Sequence, residues 1–181
     1  MRYADNNEAL GWPAEMELKV VAHPETLLEL LWIRHHAIGG ACPELPPAEL
    51  PGDAVRAEED TFRASGWATH WHRAVARACG QPDLADSDTQ SFVTEVAHQH
   101  CIEIRGPVDD WARGLVNNIG AEVALAPDVK KAWERGLRCV IDVPLRGEFA
   151  ERIGDGTLLV STATRSNPSA YWRALAKFSH A

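Results

Sequence analysis

LRCVIDVPL, residues 137–145, is apolar and rich in β-branched side chains on both of its alternating faces. A strand that is apolar on both faces is buried from both sides, so this segment reads as the central strand of a sheet. GDGTLLVSTAT (154–164) supplies a glycine turn followed by a second apolar strand. MELKVVA (16–22) alternates Met16, Leu18 and Val20 with Glu17 and Lys19, which reads as a third, half-buried strand.

The segments between these strands carry helical signals. HPETLLELLWIRHHAI (23–38) has Pro24 at a first-turn position and Glu25 behind it, and Gly39-Gly40 as its stop. Its leucines, Trp32 and Ile33 cover most of the circumference, so the helix is expected to be largely buried. Residues 54–79 read as a helix, strongest in SGWATHWHRAVARAC, and further helices are expected around DDWARGLVNNIG (109–120), PDVKKAWERGL (127–137) and NPSAYWRALAKF (167–178). CPELPPAELPGD (42–53) is a proline-rich connection inside the domain, too short to imply a second one. These elements predict an α+β protein: one compact domain over residues 1–181, with four or five amphipathic helices on a three- to four-stranded sheet.

Composition narrows the function. A hydrophobic fraction of 45% and a charged fraction of 24% fit a folded globular chain rather than a disordered one. The net charge of −8 disfavours nucleic acid, whose binding needs lysine and arginine against phosphate. Charge is also segregated. Six acids crowd residues 41–62, whereas 157–181 has none and carries Arg165, Arg173 and Lys177. The longest apolar run, LLELLWI (27–33), is too short to span a bilayer, and MRYADNNEALGWP at the start has no apolar core of a secretory signal. Four scattered cysteines without a C-x-x-C pair complete the expectation of a soluble, cytoplasmic protein with reduced thiols.

Motifs for common chemistries are missing. There is no G-x-S-x-G elbow and no phosphate loop, and Ser161, a conceivable nucleophile at a strand end, has no assignable base. Asp142 inside the apolar strand must be paired or have a shifted pKa, which sometimes marks an active site. The plain reading is that it faces an open side of the sheet or pairs with an arginine such as Arg138, four residues back on the same face. FVTEVAHQHCIEI (92–104) brings His98 and His100 close together. Read as a strand, it sets the two imidazoles on one face roughly 6.5 Å apart. Read as a helix, it turns them about 200° from each other. The strand reading is preferred, with the histidines as polar passengers. Its functional alternative is a metal-dependent hydrolase holding zinc or another divalent metal on His98 and His100, with Asp142, His35 or His36 completing the set.

Seven tryptophans are the conspicuous feature. WHRAV (71–75), WARGL (111–115), WERGL (133–137) and WRAL (172–175) each follow tryptophan with an arginine and an aliphatic residue, at no fixed period. A shared core is the plain reading. The functional one makes an exposed subset of Trp67, Trp71, Trp111, Arg113, Trp133, Arg135, Trp172 and Arg173 an interface. The leading expectation is therefore a non-catalytic binding domain without a cofactor, whose partner is another protein or a second copy of the chain. A small acidic protein that escorts or neutralises a basic partner is one version.

Overall fold

The computed structural model describes residues 8–38, 45–51, 61–80, 86–115 and 120–178. They form an α+β structure, as expected, with a four-stranded mixed sheet and eight α-helices among the described residues, more helices than the sequence predicts. Two compact units are distinguished. One draws on Met1–Ala22, Val116–Val143 and Gly147–Ala181, the other on His23–Leu115 and Pro144–Arg146.

The first unit holds the sheet. Its strands are β1 (Lys19–Ala22), β2 (Cys139–Val143), β3 (Ala150–Ile153) and β4 (Thr157–Ser161), in the order β1-β2-β4-β3. β1, β2 and β4 are parallel, and β3 returns antiparallel to β4. β2 is buried at all five positions, as its composition requires. β3, AERI, is short and keeps Glu151 exposed, so it lacks the apolar run that identifies its neighbours. Four helices belong to this unit: α5 (Ala121–Ala124), α6 (Ala126–Glu134), α7 (Thr162–Ser166) and α8 (Pro168–Leu175). Val20, Val140, Leu158 and Val160 from the sheet share a core with Val129 of α6 and Tyr171 of α8.

Gly136 ends α6 and feeds β2. Its amide bonds back to Trp133 O and the Leu137 amide to Ala132 O, the paired bonds of a Schellman cap that needs a left-handed residue. Its φ is +110°, and an added Cβ would lie 3.1 Å from the Asp155 carbonyl.

The second unit is helical. α1 (Glu25–Ile33) is buried over most of its length, and α2 (Thr61–Ala78), α3 (Asp86–Gln99) and α4 (Arg105–Gly114) all pack against it. Pro24 caps α1 rather than opening it, one position outside its predicted place. The next five residues, Arg34–Ile38, form a π-helical turn. A side chain reaches the ladder there: Trp67 Nε1 donates to Leu30 O at 2.7 Å, and the Arg34 amide splits between Leu30 O and Leu31 O. Such intrusions widen a helical turn. Arg34 is itself buried, donating to Leu45 O and Pro46 O with its guanidinium over the Trp67 ring. The described part of the proline-rich connection is held down, with Leu45, Ala48 and Leu50 buried and backbone bonds tying Pro47 and Glu49 to Arg146 and Pro144. Residues 39–40, 42–44 and 52–60, which include the expected glycine stop and the start of the second helix, lie outside the described residues.

The preferred strand reading of 92–104 is overturned. α3 runs to Gln99 and ends in another Schellman cap: the Cys101 amide bonds to His98 O and the Ile102 amide to Ala97 O. Cys101 occupies the left-handed position, φ +54°, where glycine is usual, so nothing in the sequence announced a helix end.

These two caps predict substitutions of opposite sign. Gly136→Ala should lower the unfolding free energy by about 1–3 kcal/mol, because it adds strain and a close contact. Cys101→Gly should raise it by about 1 kcal/mol by removing the left-handed penalty at an exposed position. Denaturant midpoints at constant m-value test both.

Candidate functional site

Ionisable groups within the sheet unit converge on Arg165, in the last turn of α7. Its Nε and Nη2 each donate at 2.9 Å to the two oxygens of Glu122 on α5, a fork that satisfies both planar groups at once. Its Nη1 donates to Asp142 Oδ2 at 3.1 Å. The Tyr171 hydroxyl donates to Glu122 Oε1 at 2.8 Å and the Thr162 hydroxyl to Asp142 Oδ1 at 2.7 Å. Arg165 is 4% exposed, and Glu122, Asp142 and Tyr171 are wholly buried. Asp142 and Val140 stand two apart on β2 and so share a face, the one that carries the core. Of the alternatives for Asp142, the structure shows the paired one, and its partner is Arg165 rather than Arg138. The Arg138 guanidinium lies over Trp133 and donates to Trp133 O and Leu137 O.

Burial by itself would push the Glu122 carboxyl up. The Arg165 hydrogen bonds and charge, with the Tyr171 hydroxyl, outweigh it and hold the carboxyl below its usual range. Burial likewise works against the charged form of Arg165, but Glu122 and Asp142 raise its pKa above the ordinary arginine value.

Ser161 is not poised for attack. It caps α7 by accepting from the Thr164 amide at 3.1 Å, accepts also from the Phe149 amide at 3.1 Å, and donates to Gly147 O at 2.8 Å. Thr164 Oγ1 lies 2.9 Å from the same hydroxyl and shares the Phe149 amide, at 2.8 Å, so the two side chains together tie Gly147–Phe149 to the start of α7.

The proposed metal ligands are not gathered. His98 sits in the last turn of α3 and His100 just past it, both exposed, and Asp142 is engaged by Arg165. His35 and His36 meet edge to face at 4.9 Å in the π turn, with His36 also 4.5 Å from the Trp32 ring. Burial, and then the charge of His35, lowers the His36 pKa, and His36 Nε2 has no hydrogen-bond partner among the described residues. No group of three or more His, Cys, Asp or Glu among the described residues is placed to hold a metal ion.

The tryptophans separate by burial. Trp67, Trp71 and Trp111 are core: the first two stack at 5.1 Å, and the Trp111 indole N–H donates to Glu49 O. Trp133 is half-buried. Arg113 is exposed and pairs with Asp110 on its own helix, and Arg135 is exposed at the end of α6. Trp172 is the exception, 51% exposed; Val123 on α5, at 45%, is the other large exposed apolar residue among those described.

α8 explains why. Ala170, Tyr171, Ala174 and Leu175 face inward, while Pro168, Ser169, Trp172 and Arg173 make the opposite stripe. That outer stripe and Leu125 line an open groove of about 460 Å³. Arg173 at its margin donates to Glu148 at 2.7 Å. Members of the Arg165 network are close in sequence to this lining: Glu122 precedes Leu125 by three residues, and Tyr171 adjoins Trp172. The helical unit has a polar cleft of its own, about 780 Å³, lined by Glu25, Thr26 and Glu29 of α1, Gln90 and Thr94 of α3, and Arg105 and Asp109 of α4.

No family model matches the sequence, and no curated protein or solved structure matches it either. Among the described residues no helix is long and apolar enough to cross a membrane.

A depressed Glu122 pKa means that its contribution to stability is complete above the ordinary carboxylate value, about 4.3, and is lost as pH falls through the lower folded-state value. Glu122→Gln should therefore cost about 3 kcal/mol near neutrality and leave a shallower loss of stability on acidification. Urea titrations at several pH values test this; an unchanged acid slope would remove the ion pair from the account. Replacing His98 and His100 together by alanine should leave stability within about 0.5 kcal/mol and bound metal, read by elemental analysis, unchanged.

Proposed function

We propose that this protein is a non-catalytic binding domain that takes a protein, either a separate partner or a second copy of the chain, on the outer face of α8. The observation carrying this reading is the exposure of Trp172, at 51%, in the lining of a groove on a helix whose inner face bonds through Tyr171 to Glu122. Tryptophan and arginine are the residues most enriched where binding energy concentrates, and an exposed indole on a rigid helix loses little entropy on docking. The committed state of Ser161 and of the Asp142 carboxylate supports the non-catalytic side of the reading. The net charge of −8 favours a protein over a polyanion as partner. The hydrolase alternative gains no support from where His98 and His100 stand.

The test is sedimentation of the purified chain together with affinity capture from its native lysate, comparing wild type with Trp172→Ala. Circular dichroism should report an intact fold for the variant, because Trp172 lies outside the core. The expected result is a defined complex, with a partner or with a second copy, weakened at least tenfold by the substitution. A wild-type chain that stays monomeric and captures nothing would overturn the reading, as would a complex indifferent to Trp172→Ala.

A further inference from the structure

We draw no further inference here: the strongest candidate, the polar cleft of the helical unit lined by Glu25, Glu29, Gln90, Thr94, Arg105 and Asp109, is a cluster of carboxylates for which no second feature among the described residues points to a ligand.

Discussion

Arg165 is the one group that the sheet unit cannot relinquish. Two carboxylates, Glu122 and Asp142, are fully buried, and a lone buried carboxylate would cost several kcal/mol. The guanidinium answers both because its donors radiate in fixed directions, whereas a lysine ammonium lacks the planar fork. The net gain in stability from such a cluster is small, since the desolvation of three charges offsets most of the attraction. What the cluster enforces is geometry. Glu122 lies on α5, Asp142 on β2, Arg165 on α7 and Tyr171 on α8, so a shift of any one of these elements breaks a buried bond.

That geometry reaches the surface through α8. The residues that bury Tyr171 and Leu175 leave Trp172 and Arg173 outward, a consequence of 3.6 residues per turn. If a protein docks on this face as proposed, a helix held from its inner side by Tyr171 would lose little freedom when the partner arrives. The helical unit shows the same economy differently. Trp67 fills the core, gives its indole N–H to the carbonyl of Leu30 and supports the buried Arg34, so one side chain joins α2 to the π turn that follows α1.

Much of this was legible. The doubly apolar β2, the circumferentially apolar α1 and the proline-led helices follow from side-chain pattern alone. Three things were not, each for a physical reason. β3 lacks the apolar run that marks its neighbours, and α5 and α7, of four and five residues, are too short for a helical period to emerge. The segment around His98 changed class because its helix end is built on Cys101 at a position where a glycine would have announced it. Asp142 drew its partner from residue 165, whereas sequence proximity favoured Arg138, and a pairing across 23 positions leaves no local trace. Of the candidate site, the inward and outward stripes of NPSAYWRAL were readable in principle. The partners that stiffen them were not.

The connection between β1 and β2 has a consequence for how the chain assembles. Lys19 pairs with Cys139 and Ala22 with Asp142, so the two strands meet only across a separation of 120 residues. The β3–β4 hairpin, in contrast, closes over a few residues. Loop-closure entropy for the long connection is about 4 kcal/mol by the logarithmic scaling, and it must be met before the parallel pairing returns anything. During synthesis the N-terminal strand therefore leaves the ribosome long before its partner exists. Whole-sheet formation waits on the last third of the chain, and pairings so distant in sequence are the kind that slow folding.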